Sequence, residues 1–352
     1  MKWWLKVICV LALAYSTIFS LWHPMGPGGL EVSATKFKPG NNEFVFTGYN
    51  THFLSDRATL QVFVTNDSSA VFKAEILDVL SEDKVRVNVF LPDTISSKQF
   101  EFYANTDKDG TVKVESPIGS EGFTIVPGAD VLGTKVTVKN KNKQHFAYPY
   151  QPIIIESIRN LMWHVPMWFT MFAVMTLSFI FSLKALNRKM DVAATGHTIN
   201  EQDLKASSAA AVGLFFCTLG LVTGSIWARF AWGAWWTNDP QLNGAMVVFL
   251  MYVAYFILRQ SVVDEEKKAR LSAIFNIFAF VLMVVLLMVM PRFAEGLHPG
   301  KSGNPAFSKY DLDSSLRTVF YPACLGFILL GYWLYNVNYR INKLELENEE
   351  IS

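Results

Sequence analysis

Two histidines lie beside apolar stretches, at positions from which they could hold a metal. His164 occurs in a Trp-His-Val-Pro sequence at the start of one stretch, and His298 occurs in a Leu-His-Pro sequence after another. Two neutral imidazoles on opposite sides of a planar metal macrocycle are a common way to hold iron axially. A single histidine at a membrane edge is more often a polar interface residue, so the pair carries the hypothesis.

A tryptophan-rich segment, predicted to be a loop over residues 225–240, is the second candidate for chemistry. Four tryptophans fall within ten residues, interrupted by a glycine: Trp227, Trp232, Trp235 and Trp236. Indoles are common at membrane interfaces, where the ring is apolar and the N–H is hydrated. The cluster also fits a flat aromatic platform that stacks on a large planar ligand. Both interpretations stay open on physical grounds. Asp239 and Pro240 predict that a helix begins at the end of the segment.

Arginines near the same stretches could bind carboxylates carried by a planar ligand. Arginine suits carboxylates because its guanidinium donates paired hydrogen bonds. Arg229 and Arg292 are the main candidates, and Arg159 and Arg317 occupy similar positions. The alternative is that all four mark ordinary helix ends.

The elements that must position these residues are membrane helices. Of 352 residues, 51% are hydrophobic and 17% charged, whereas soluble domains average roughly 25% charged. Uncharged stretches reach or approach the ~17–25 residues that span a bilayer, at residues 7–22, 163–183, 206–228, 240–258, 271–291 and 318–339. The sequence predicts an all-α polytopic bundle of six transmembrane helices and excludes a soluble single domain. A net charge of +1 gives no support for nucleic-acid binding.

The distribution of Lys and Arg predicts the orientation of this bundle. Twelve of these residues flank loops on one side, and five lie in the short loops on the other. Because positive loops stay in the cytoplasm, we expect a multi-pass protein of the cytoplasmic (inner) membrane with both termini inside. Residues 1–22 are predicted to be a retained anchor rather than a cleaved signal peptide. Residues 23–162, 228–240 and 292–317 are then outside.

Residues 23–150 are too many for an unstructured loop and predict an extracytoplasmic domain. Polar and apolar residues alternate in 59–64, 84–90 and 134–138, which is typical of half-buried strands. Asp109-Gly110 between two apolar runs predicts a hairpin. Six to eight such strands predict an all-β, sandwich-like domain. Residues 151–340 then form a five-span membrane domain, and 341–352 a cytoplasmic tail.

Four further histidines compete for the role of ligand. His23, His52 and His145 are predicted outside, on the same side as His164 and His298, so sidedness alone does not choose the ligands. His197 is predicted to be a solvated residue of a cytoplasmic loop.

The tryptophan segment resembles a known family. Trp232-Gly233-Ala234-Trp235-Trp236, followed by Asp239, is similar to the tryptophan-rich (WWD) signature of heme-handling membrane proteins of cytochrome c biogenesis. The His-Val-Pro at 164–166 and the Leu-His at 297–298 resemble loop motifs of the CcmC type. The resemblance covers about residues 155–340 and the first span. The chain differs at Asn238, where many relatives have Trp, and in its β domain, where the CcmC type has a short loop.

The resemblance implies that His164 and His298 are the axial ligands of non-covalent heme b, beside a platform of Trp232, Trp235, Trp236 and Asp239. Trp227, Arg229 and Arg292 complete the predicted site. The implied function is not enzymatic: heme is bound at the outer membrane face and passed to a heme chaperone. ABC-type transporter subunits, a small single-span subunit and membrane lipid are the implied partners.

Three alternatives compete with this interpretation. A component of a cytochrome c synthase shares the tryptophan motif, but such proteins have more spans and histidines inside the bundle. A b-type electron-transfer protein needs histidine pairs in facing helices, and here no histidine lies in mid-span. A membrane receptor whose β domain binds an outside ligand is the third, although the short acidic tail carries no output domain.

Overall fold

The computed structural model describes residues 1–66, 70–95, 98–119, 121–126, 147–152, 154–187, 191–192, 198–298 and 312–348. The chain divides into two compact units. The membrane unit is Met1–Trp22 with Ser157–Ser352, and the barrel unit is His23–Glu156. The strand predicted at 134–138, and also His145 and His197, lie outside the described residues.

Long apolar helices make up the membrane unit. The described residues contain six helices that are long and apolar enough to cross a membrane, which confirms the predicted bundle. The helical segments are α1 (Trp3–Trp22), a 3₁₀ turn (Ile155–Asn160), α2 (Leu161–Asn187), α3 (Glu201–Trp232), α4 (Pro240–Ser261), α5 (Glu265–Val284), a π-helical turn (Val285–Val289), α6 (Met290–Phe293) and α7 (Ser314–Asn348).

The π-helical turn is explained by the proline that follows it. Pro291 lies inside the last helical turn, and a proline has no N–H to donate and its ring collides with the carbonyl four residues earlier. A wider turn moves that carbonyl, on Leu287, away from the ring. The α5–α6 rod therefore continues to Phe293 before the chain turns towards His298.

Polar contacts inside the bundle join the helices at the end opposite to the tryptophan segment. Arg259 of α4 donates two hydrogen bonds to the carboxylate of Asp203 on α3, at 2.7 and 2.8 Å. Asn276 of α5 donates to the hydroxyls of Ser178 and Ser182 on α2, at 2.7 and 2.8 Å. These bonds between neighbouring helices satisfy polar groups that lipid could not, and they fix how the helices face one another.

The barrel unit is all-β, as predicted. Its strands are β1 (Gly28–Val32), β2 (Gly40–Tyr49), β3 (Gln61–Asn66), β4 (Ala70–Ser81), β5 (Lys84–Leu91), β6 (Thr94–Ile95), β7 (Gln99–Thr106), β8 (Gly110–Gly119) and β9 (Thr124–Ile125). The predicted hairpin is confirmed, because β7 and β8 pair in antiparallel register from Thr106↔Gly110 onward. Gly110 takes the positive φ of 71° that this turn requires.

Seven strands close into one barrel, in the order β1-β2-β5-β4-β3-β7-β8, instead of two facing sheets. Alternation cannot separate these outcomes, since each strand has one inward face in both. Closure depends on β1 meeting β8 in parallel at Gly29↔Val114. A β-carbon on Gly29 would lie 2.6 Å from the Lys113 carbonyl oxygen, so glycine permits the approach. Phenylalanines fill the interior: Phe37, Phe44, Phe46, Phe53, Phe100 and Phe102.

Among the residues that the structure describes, two short pairs of strands lie outside the barrel. β6 pairs with β9 in parallel. In the connection between α2 and α3, β10 (Asp191–Val192) pairs antiparallel with β11 (Thr198–Ile199). Neither pair carries a predicted site residue.

Candidate functional site

Both predicted ligands lie at one end of the membrane unit. His164 is in the first turns of α2, and His298 follows the end of α6 by five residues. At this end α3 finishes and α4 begins. The fold therefore places the two histidines that the sequence singled out at the same end of the membrane unit.

His164 lies in a groove between α2 and α3 that exists because α3 has a glycine there. A β-carbon on Gly224 would lie 2.6 Å from the imidazole Cε1. One residue earlier, the Oγ1 of Thr223 is 3.1 Å from the imidazole Nδ1. That hydroxyl donates its only proton to the Leu219 carbonyl at 2.8 Å. It therefore accepts from Nδ1–H of His164, and the lone pair of the neutral imidazole is on Nε2.

Two indoles border the His164 ring. Trp168 meets it edge-on, with ring centroids 6.2 Å apart and an interplanar angle of 81°. Trp227 meets it in the same way, at 5.8 Å and 82°. The Nε1 of Trp227 donates to the Ser157 hydroxyl at 3.2 Å. The ring is thus enclosed by α2, α3 and the 3₁₀ turn, and its orientation is fixed by packing.

His298 is held by a carboxylate. Its Nδ1 is 2.9 Å from Oδ1 of Asp239, and Oδ2 of the same carboxylate accepts the backbone N–H of Leu297 at 2.7 Å. Trp232, the last residue of α3, meets the imidazole edge-on with centroids 5.0 Å apart. Because a carboxylate can only accept, Nδ1 carries the proton of this bond, and Nε2 carries the lone pair whenever the ring is uncharged.

Asp239 also begins α4. Its Oδ1 accepts the N–H groups of Gln241 and Leu242, at 2.9 and 3.3 Å, which is the N-cap arrangement that an Asp-Pro sequence favours. Burial alone would raise the pKa of this carboxyl. The hydrogen bond and charge of His298, with the backbone N–H groups of Leu297 and Leu242, nevertheless hold the pKa below its ordinary value. Asp239 is therefore an ionised acceptor at neutral pH.

The tryptophan segment is more helical than predicted. The prediction ended the third span at Ala228, whereas α3 continues to Trp232 and stops at Gly233, which has a φ of 76°. Alanine and aromatic side chains continue a membrane helix readily, and glycine is the first residue that adopts this left-handed conformation without strain. Trp227 and Trp232 are consequently on the helix, not in a loop.

The other two tryptophans lie in the connection between α3 and α4. Trp235 is 60% exposed and Trp236 is 38% exposed. The Nε1 of Trp236 donates to Oδ1 of Asn243 at 3.3 Å, and Asn243 donates to Oδ1 of Asn238 at 2.8 Å. Asn238, the departure from the family motif, thus helps to hold this connection against α4.

The candidate arginines bind backbone carbonyls. Arg229 donates to the Gly233 carbonyl at the end of its own helix, and Arg292 donates to the Met288 carbonyl at 3.1 Å. Arg159 donates to the Ser20 carbonyl at 2.8 Å. The Nε of Arg317 is buried and has no hydrogen-bond partner among the described residues. Contact between Arg229 or Arg292 and a carboxylated ligand stays a prediction.

Sequence reasoning missed three residues that position the histidines: Thr223, Gly224 and Gly296. A β-carbon on Gly296 would lie 2.8 Å from Oδ2 of Asp239, so the chain passes directly against that carboxylate. Close approach leaves no pattern in a single sequence, because any glycine in an apolar helix or loop looks the same. A threonine four residues after a leucine carries no signal either.

The donor set fits an iron porphyrin. The two imidazoles, each with Nδ1 directed to an acceptor, could hold the iron of a porphyrin through Nε2. Within the part of the chain that the structure describes, no group of three or more His, Cys, Asp or Glu could cage a metal ion by itself. A cleft of about 360 Å³ adjoins the carboxylate, lined by Thr237, Asn238, Asp239, Glu295, Gly296 and Leu297.

The known proteins that this chain resembles have names that concern heme and cytochrome c. Residues 147–298 match the family described as cytochrome C assembly protein. A protein named heme exporter protein C from Paracoccus denitrificans is 28% identical over 174 residues, which are 49% of this chain and 68% of the relative. The protein of that name from Haemophilus influenzae is 29% identical over 150 residues, or 42% of this chain and 59% of the relative.

A second group of relatives has another name. A cytochrome c biogenesis protein CcsA from Prochlorococcus marinus is 34% identical over 102 residues, which are 29% of this chain and 31% of the relative. The matches thus span about a third to two thirds of these three relatives. These matches confirm the resemblance of the membrane unit to cytochrome c assembly proteins of the CcmC type.

Proposed function

We propose that the membrane unit binds heme b non-covalently in cytochrome c biogenesis and holds it for transfer without chemical change. His164 and His298 are the axial ligands in this proposal, each through Nε2. The observation that carries it is that both imidazoles lie at one end of the bundle with Nδ1 directed to an acceptor. A neutral imidazole whose Nδ1 donates presents its other nitrogen to a metal.

The surroundings of the two histidines suit the rest of the macrocycle. Trp232 and Trp227 border the imidazoles, and the exposed rings of Trp235 and Trp236 are available for stacking. Arg229 and Arg292 are the proposed partners of the two propionate groups of heme. Each arginine would give up its hydrogen bond to a backbone carbonyl and bind a propionate carboxylate instead.

In this role the only chemistry of bound heme would be the exchange of the ligands on its iron. His164 and His298 would hold the iron and leave no position for oxygen, and the tryptophans and lipid would shield the ring from water. Release requires that a receiving protein supply a replacement ligand, and we propose a heme chaperone for this step. ABC-type transporter subunits and a small single-span subunit are the further proposed partners. The name heme exporter protein C, which the relatives carry, supports a link to heme export.

The proposed location is the outer face of the cytoplasmic membrane. The excess of Lys and Arg in the other loops supports a topology with both termini inside. The barrel unit is then periplasmic, on the same side as His164 and His298.

The test is the heme content of purified protein, measured from the Soret band. His164→Ala and His298→Ala should each lose most of the bound heme, because one remaining axial imidazole holds it weakly. His23→Ala is the control, as a histidine predicted on the same side, and should retain heme. Unchanged heme content in both ligand variants would contradict the proposal.

The relatives named CcsA favour one second candidate, a heme-handling component of a cytochrome c synthase. Such a component would attach heme to an apocytochrome directly. Expression of the chain with an apocytochrome and no heme chaperone separates the two. Holocytochrome formed in that strain would favour the synthase role, and a requirement for the chaperone would favour transfer.

A further inference from the structure

Asp239 does more than border the predicted platform. One carboxylate caps α4 through two backbone N–H groups, accepts the N–H of Leu297 and accepts Nδ1–H of His298. Only 2% of the residue is exposed. A residue so buried and so fully hydrogen-bonded has no free face for a ligand, and it acts on a ligand only through His298.

The acceptor of the other histidine differs in charge. Thr223 offers His164 a neutral hydroxyl oxygen, whose own proton goes to a helix carbonyl, and the Gly220 carbonyl, which is also uncharged, interacts with the same imidazole. A carboxylate that accepts Nδ1–H draws the proton partly away from the ring and raises the basicity of Nε2, whereas a hydroxyl does so much less.

We infer that Asp239 is a positioning residue that keeps His298 protonated on Nδ1 and makes its Nε2 the stronger of the two donors to iron. The effect on iron rests on the proposed function. The control of the tautomer is a property of the heme-free protein. His164 is then the weaker axial ligand and the one that dissociates first.

Asp239→Asn tests the effect on iron. Asparagine caps helices as well as aspartate does, so α4 should still begin correctly while the negative charge is lost. Ferric heme should bind about tenfold more weakly, as when the partner of a metal-bound histidine is changed. If ferrous heme is unaffected, the midpoint potential rises by about 59 mV.

Asp313→Asn is the matched control. Asp313 caps α7 by accepting the N–H of Leu316 at 2.8 Å and the hydroxyl of Ser315, and no histidine is among its described contacts. Its heme affinity and potential should equal those of the unaltered protein. An unchanged potential in Asp239→Asn, with heme still bound, would overturn the effect on iron.

The tautomer of His298 is measured in the heme-free protein with Asp239 intact, so this test does not depend on the folding of Asp239→Asn. Nitrogen-15 NMR of histidine-labelled, heme-free protein at mildly alkaline pH should show His298 protonated on Nδ1, with the signal assigned by its loss in His298→Ala. A proton on Nε2 would overturn the inference. A proton on Nδ1 together with heme binding that survives both histidine variants would refute the proposed function and leave the tautomer control intact.

Discussion

The two halves of the candidate site hold their histidines by different physics. His164 is placed by shape: it lies on a helix, against a glycine of the neighbouring helix and between two indoles. His298 is placed by charge: it lies on the chain beyond α6 and is bound by a buried carboxylate. His164 can move only if the packing of α2 against α3 changes. His298 is restrained by a hydrogen bond to one side chain, and that bond can break and re-form.

The comparison explains why the chain needs two kinds of support. The helix–helix groove alone orients the imidazole of His164. The neutral hydroxyl of Thr223 is therefore needed only to choose the tautomer. A histidine on a connection lacks that groove, and an ionised acceptor supplies both orientation and tautomer. Changes in the first half should therefore act through packing, and changes in the second through electrostatics.

The largest effect is expected from filling the groove. Gly224→Val places side-chain carbon where the imidazole Cε1 now lies, 2.6 Å from the new β-carbon, and overpacking costs about 1–3 kcal/mol. His164 should leave its position, and heme content should fall at least about tenfold, measured from the Soret band.

Gly213→Ala is the packing control for that variant. It lies on the same helix and would place a β-carbon 2.5 Å from Cε of Met175, at the end of a flexible side chain that can move aside. Loss of heme equal to that of Gly224→Val would mean that general packing of α2 and α3, not the position of His164, is responsible.

A smaller effect is expected from displacing the carboxylate. Gly296→Ala would place a β-carbon 2.8 Å from Oδ2 of Asp239, which pushes the carboxylate from Leu297 and weakens its hold on His298. Heme affinity, measured by titration, should fall by roughly tenfold or less, since the histidine itself remains. An affinity equal to that of the unaltered protein would show that this half tolerates movement.

A still smaller effect is expected at Thr223. Thr223→Val keeps the shape and removes the acceptor of the His164 Nδ1–H, which should cost about 1 kcal/mol, or roughly fivefold in heme affinity. Thr223→Ser keeps the hydroxyl and should bind heme normally in the same titration. Equal loss in both variants would assign the effect to the methyl group instead.

The barrel unit provides the smallest expected effect, because it contains a second His–Asp pair. The Nδ1 of His52 is 2.7 Å from Oδ1 of Asp109, which is buried. His52→Ala should leave heme content unchanged within about 20% and should lower only the thermal stability of the barrel, as expected when one hydrogen bond is lost. Loss of heme would show that a histidine of this unit is a ligand.

The features that could be predicted are those that periodicity and composition determine. Six spans follow from uncharged stretches, and the β7–β8 hairpin follows from Asp109-Gly110. His164 and His298 could be paired because both lie on one predicted side and in segments that resemble loop motifs of the CcmC type. Closure of the barrel could not be predicted, because it depends on the approach of Gly29 to β8, which only the folded sheet reveals.

The roles within the site were harder to predict for a related reason. Asp239 could be recognised as the start of a helix, but its bond to His298 joins residues 59 positions apart. Thr223 and Gly224 act through contacts with α2 that depend on the relative rotation of two helices. Such contacts arise from three-dimensional packing, and a single sequence contains no pattern for them.

The length of α3 has a consequence for delivery. Its 32 residues extend about 48 Å at 1.5 Å per residue, whereas the oily layer of a bilayer is about 30 Å thick. Unless it tilts steeply, a rod of this size protrudes into the headgroups or beyond. If Trp232 is at the protruding end, heme bound beside it would lie at the membrane–water interface. A receiving protein could then collect the heme without entering the hydrocarbon core.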